Sequence, residues 1–173
     1  MNKILKSLLI ITSFFMATMC SAQVQISTNL LDNTQWVIAS RKIMGKIEKA
    51  NRVNIWKFNK SSYSTNYYAT SLNEIIVLKH PYYISNVEPC DYSFDKNKVG
   101  VNTEGKYLVF YNEKCDEVDY YTVMSFTDEE MVLFHKNKVD YIPDVYITFK
   151  RVNAHKGSVP LCLPYDSANA RLY

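Results

Sequence analysis

The side chains best suited to chemistry are three histidines, His80, His135 and His155, and four cysteines, Cys20, Cys90, Cys115 and Cys162. A Cys–His nucleophilic site would have to draw on these, and no G-x-S-x-G elbow supplies a serine alternative. The cysteines form neither a C-x-x-C pair nor a zinc spacing, so no metal is expected. Gly100-Val101-Asn102-Thr103-Glu104-Gly105-Lys106 matches a phosphate-binding loop up to Tyr107, which stands where that loop needs a Ser or Thr for magnesium. Its flanks read as strands joined by a hairpin, whereas the loop requires a strand and then a helix. Glu113, Asp116, Glu117 and Asp119 lack the spacing and central Gly of a calcium loop and read as a solvated turn. Asp128 and Glu130 read as turn and edge-protecting charges. Neither a catalytic constellation nor a cofactor is expected.

The elements that position these groups follow from composition and periodicity. With 173 residues, 47% hydrophobic and 14% aromatic, the chain suits one globular domain. Its 20 basic residues include Lys3 and Lys6, so from residue 23 onward 18 basic side chains face 17 acidic ones. That balance leaves no overall basic footprint for nucleic acid. Lys3 and Lys6 precede an apolar run from Leu8 to Met19 and then Cys20-Ser21-Ala22, the layout of a cleaved secretory signal over residues 1–22. The run is about 12 residues against the roughly 20 of a membrane-spanning helix, and no later segment comes near that length. A periplasmic or secreted protein is expected, with lipid anchoring at Cys20 as the alternative.

After a lead-in over 23–33, short segments rich in Tyr, Val, Ile and Phe alternate with turn-formers. Trp36 to Ala39 opens the series, a charged link over Lys46 to Lys49 reads as one helical turn, and Val53 to Phe58 follows with a phase shift that suggests a bulge. Tyr63, Thr65, Tyr67 and Ala69 alternate with polar neighbours in the period of a strand. Further strands are read at Ile75 to Leu78, Tyr82 to Ile84, Tyr92 to Phe94, Val99 to Val101 and Tyr107 to Tyr111. Val118, Tyr120, Thr122, Met124 and Phe126 fall on one face of the longest strand, Met131 to His135 follows, and Val145 to Val152 closes the series. Eight to ten antiparallel strands joined by hairpins predict an all-β, up-and-down barrel, with a β-sandwich as the alternative. Residues 153–173 form a tail.

Over residues 34–152 the order of features resembles the lipocalin-like (calycin-type) superfamily, and within it the small secreted lipocalin-like domains of bacteria. Thr34-Gln35-Trp36 corresponds to the family's first-strand Gly-x-Trp, Val118-Asp119-Tyr120 to its Thr-Asp-Tyr, and Arg151 to the Arg that ends its last strand. The resemblance implies a non-catalytic protein that binds a small, partly apolar molecule. It also implies that Trp36 packs against Arg151 where the first strand meets the last, within about 6 Å. The inward residues expected to touch a ligand are Tyr67, Tyr120, Thr122, Met124 and Phe149. The 14 Tyr suit either a ligand cavity or a filled core. A module that contacts an envelope protein through loops and exposed aromatics is the alternative. If every turn from Cys90 onward reverses the chain, Cys90 and the tail share one end of the barrel, which predicts a Cys90–Cys162 bridge with Cys115 unpaired.

Overall fold

In the computed structural model the structure describes residues 24–50, 54–69, 74–90 and 93–152. The strands, in chain order, are β1 (Ile26–Ser27), β2 (Thr34–Ile43), β3 (Lys46–Lys49), β4 (Ile55–Phe58), β5 (Ser62–Ala69) and β6 (Glu74–Ser85). They are followed by β7 (Glu104–Gly105), β8 (Tyr107–Asn112), β9 (Glu117–Phe126), β10 (Glu130–His135) and β11 (Val145–Arg151). One helical turn, α1 (Thr28–Leu31), follows β1, and a 3₁₀ turn occupies Lys96–Lys98. Antiparallel pairing runs β2, β4, β5, β6, β8, β9, β10, β11 and returns to β2, closing an eight-stranded up-and-down barrel to which β3 adds a short flap. This is the architecture implied by the lipocalin-like resemblance, and closure removes the edges that an open meander would expose.

Trp36 and Arg151 are register partners at the seam between β2 and β11. The Arg151 guanidinium lies 5.8 Å from the centre of the Trp36 ring, and the indole is fully buried. Trp36 Nε1 donates to Thr34 Oγ1 at 2.8 Å, and that hydroxyl donates to the Leu31 carbonyl at 2.5 Å. The seam is thereby tied to α1. Ile26, Thr28 and Leu31 are all buried, and Ile26 and Leu31 belong to the same apolar cluster as Trp36, Phe58, Met131 and Phe149. The lead-in is a plug across one end of the barrel. Thr103 holds it there, accepting from the Thr28 backbone N–H at 3.0 Å and, through its Oγ1, from the Ile84 N–H at 3.1 Å.

Several sequence expectations change. Lys46–Lys49 is a strand, joined to β2 by Met44 and Gly45, both at positive φ as a tight hairpin requires. Ile75 to Leu78 and Tyr82 to Ile84 are one strand that runs through Pro81. Phe94, Val99 and Val101 lie in no strand, and Tyr92 is outside the described residues. Glu104–Gly105 is no hairpin turn, because it pairs with Ile26–Ser27 of the plug and leads directly into β8. A Cβ at Gly105 would overlap the Ser85 backbone carbonyl, so only glycine allows β7 to pass so close to β6.

Bulges occur, but elsewhere than expected: no register shift interrupts β4, whereas Ala39 in β2 and Met124 in β9 are each left without a ladder partner. The second reverses the expected face of β9. Tyr121 and Val123 point inward beside Leu108 and Phe110, and Tyr120 and Thr122 oppose Val109 and Tyr107 on the outer face. Phe126 returns to the interior only because the bulge inserts Met124. The outer face of this region is itself covered. Phe94 and Val99 pack there on Tyr83, Tyr107, Val109 and Val118, a second small core outside the barrel.

Candidate ligand-binding site

The barrel interior divides along its length. Toward the plugged end it is packed solid, with Trp56 in ring contact with Phe149 at 4.9 Å, Tyr63 at 5.0 Å and Phe110 at 5.7 Å. Toward the other end it opens into a cavity of about 290 Å³. Tyr63 and Phe110 line its floor, 4.2 Å apart between ring centres. His80 enters from β6, Asn112 from the end of β8, Glu117 and Asp119 from β9, His135 from β10, and Asn137 to Val139 from the segment that follows β10. Strand alternation places them. Glu117, Asp119, Tyr121 and Val123 occupy successive inward positions of β9, so the inner face passes from charged at the mouth to apolar in the core.

One hydrogen bond organises this mouth. His135 Nε2 lies 2.8 Å from Asp119 Oδ1, and because an ionised carboxylate only accepts, the imidazole donates from Nε2. The Tyr120 backbone N–H donates to the same Oδ1 at 2.9 Å. The Tyr121 ring lies 4.8 Å from the His135 ring and the Tyr63 ring 5.7 Å from that of His80. Burial pushes the Tyr63 and Tyr121 phenols well above their ordinary value of 10.0, and the Asp119 carboxylate raises both further. Arg41 opposes the rise at Tyr121 without cancelling it. Lys138 Nζ donates to the Val118 carbonyl at 2.7 Å and lies 3.9 Å from Glu117 Oε1.

Among the described residues no group of three His, Cys, Asp or Glu could hold a metal ion, and no Ser, Thr or Cys side chain hydrogen-bonds to His80 or His135. A small molecule with an apolar body and one or two polar groups is what the arrangement accommodates: aromatic rings below, hydrogen-bonding side chains at the rim.

Of the residues expected to touch a ligand, Phe149 is inward but fully buried beneath Trp56, so it fills the barrel and lines no cavity. Tyr120, Thr122 and Met124 are corrected to the outer side, where Tyr120 donates from its hydroxyl to Glu88 at 2.8 Å and Met124 is exposed at the bulge. Tyr67 lies in β5 opposite Ile76, and its side chain is outside the described residues. Cys90 and Cys115 are exposed and not bonded to each other, and Cys162 lies outside the described residues, as does its pairing. Sequence reasoning missed Asp119 and His135 as partners. The signal was the other period-2 phase of β9, in which Asp119 precedes Tyr121 and Val123.

No protein-family model and no curated protein matches the chain. Two solved structures are similar to it. A lipocalin-like protein from Bacteroides uniformis ATCC 8492 is 10% identical, with a TM-score of 0.46 over 70% of this chain and 97% of its own. An uncharacterized protein from Bacteroides eggerthii DSM 20697 is 12% identical, with a TM-score of 0.44 over 68% of this chain and 97% of its own. By its own strand order, closure and register, this chain has the lipocalin-like architecture of eight antiparallel strands in an up-and-down barrel.

Proposed function

We propose that the protein is a non-catalytic binding protein that takes one small, partly apolar ligand in the open mouth of its barrel. The observation that carries this reading is the asymmetry of the barrel, plugged and filled at one end and open at the other over an aromatic floor with a polar rim. The charge, hydrophobicity and length of residues 1–22 support action outside the cytoplasm, in the periplasm or after secretion. Native mass spectrometry of the protein isolated from its own cell envelope should show a retained small molecule. The Asn112→Trp variant, which fills the mouth, should lose it. A bare protein, with amide resonances around Tyr63, Asp119 and His135 unmoved by a panel of small aromatic and aliphatic compounds, would refute the reading.

A contact surface for an envelope protein is the second reading, favoured by the outer wall. There the register aligns Ile47, Lys42, Tyr146 and Phe134 across four strands, beside Met44, which is 83% exposed, on the β2–β3 turn.

A further inference from the structure

The charges that face the mouth select among ligands, an inference that rests on the mouth being the binding site. Two carboxylates, Glu117 and Asp119, enter it against one ammonium, Lys138. That ammonium is already engaged by the Val118 carbonyl and by Glu117. Asp119 carries its charge on the floor side, next to Phe110, its register partner across the β8–β9 ladder. Its Oδ1 is taken by the His135 imidazole and the Tyr120 amide, while Oδ2 accepts no hydrogen bond from any described residue. Arg41 approaches Tyr121 from β2 and is not among the residues that line the cavity. Aromatic rings attract cations through the negative potential of their faces, and a carboxylate beside such rings strengthens that attraction. Burial is the main cause of the raised Tyr63 and Tyr121 phenols, and the further rise from Asp119 has the sign of the same negative field across the floor. An anionic ligand would instead meet two carboxylates and an ammonium held by other partners.

We propose that the mouth binds a small organic amine in its cationic form, with the ammonium hydrogen-bonded to Asp119 and the apolar body against Tyr63 and Phe110. Three probes that share a phenylethyl body test this by amide NMR titration of the whole protein at neutral pH: 2-phenylethylamine, 2-phenylethanol and 3-phenylpropanoate. The amine should bind about tenfold more tightly than the alcohol, and the carboxylate more weakly than either. Asp119→Asn should abolish the preference, bringing the amine to within about twofold of the alcohol measured on the same variant. Should Asp119→Asn fail to fold, the exposed Glu117→Gln gives the same comparison, again with the preference for the amine over the alcohol reduced. Alcohol or carboxylate binding as tight as that of the amine would overturn cation selection and leave the mouth as the site. Amine affinity unaltered by the carboxylate substitutions would overturn it equally. If none of the three probes shifts the resonances of Tyr63, Asp119 or His135, the mouth as binding site fails together with the inference.

Discussion

At the scale of single residues, the interior phenols are the most distinctive chemistry in the chain. Tyr82 is fully buried, and its hydroxyl finds no partner among the described residues. Burial raises its phenol, as it does those of Tyr63 and Tyr121, and Asp32 adds to the rise. The linkage sign follows directly. A phenol that stays protonated in the folded protein but ionises near 10 in the unfolded chain contributes stability that is complete below pH 10. That contribution falls as pH rises further, because the unfolded state then holds fewer protons. Ultraviolet titration should therefore show a fraction of the tyrosines that ionises only with unfolding, and chemical denaturation should give a midpoint that drops steadily above pH 10. Smooth titration of every tyrosine near pH 10 in the folded protein would contradict the placement of these three. Nothing in the sequence separates Tyr63, Tyr82 and Tyr121 from the other tyrosines, because burial of a phenol is decided by which strand face it occupies.

At the scale of elements, β9 shows how a regular pattern misleads. Residues 118, 120, 122, 124 and 126 alternate as cleanly as 117, 119, 121 and 123, and an apolar residue normally marks the core side. Here both faces are covered, the inner by the barrel and the outer by Phe94 and Val99, so hydrophobicity no longer tells the faces apart. The bulge at Met124 then joins the two phases within one strand. Stability measurements distinguish the faces. Val123→Ala, which removes two buried methyl groups, should cost about 1–3 kcal/mol. Met124→Ala, at an exposed position, should stay within about 0.5 kcal/mol of the parent. The reverse order in urea denaturation would restore the face read from the sequence. The strands of β2, β8, β10 and β11 were legible because their apolar runs and turn-formers agree. β3 was not, since Lys46 to Glu48 carries no apolar alternation and its strand state comes from pairing with β2.

At the scale of the whole molecule, the decisive feature is that the lead-in closes one end. Residues 26–31 lie outside the barrel strands, yet Leu31 is completely buried on the seam that Trp36 and Arg151 form. Leu31→Ala should cost about 2–5 kcal/mol, as much as a substitution in the middle of a barrel strand. Thermal or urea unfolding checks this, and a change below about 0.5 kcal/mol would show that the plug is not part of the core. Apart from the meeting of Trp36 with Arg151, which the lipocalin-like resemblance implied, the sequence by itself determined the all-strand composition, the antiparallel order and the lack of a recognisable catalytic motif. These rest on local periodicity, turn chemistry and chain order, which need no knowledge of distant neighbours. Only the tertiary structure decided that Asp119 and His135 meet at the mouth, that Phe149 fills rather than lines, and that residues 26–31 plug one end of the barrel. Those depend on register, bulge position and the covering of a second face, all of which are fixed by contacts between residues far apart in the chain.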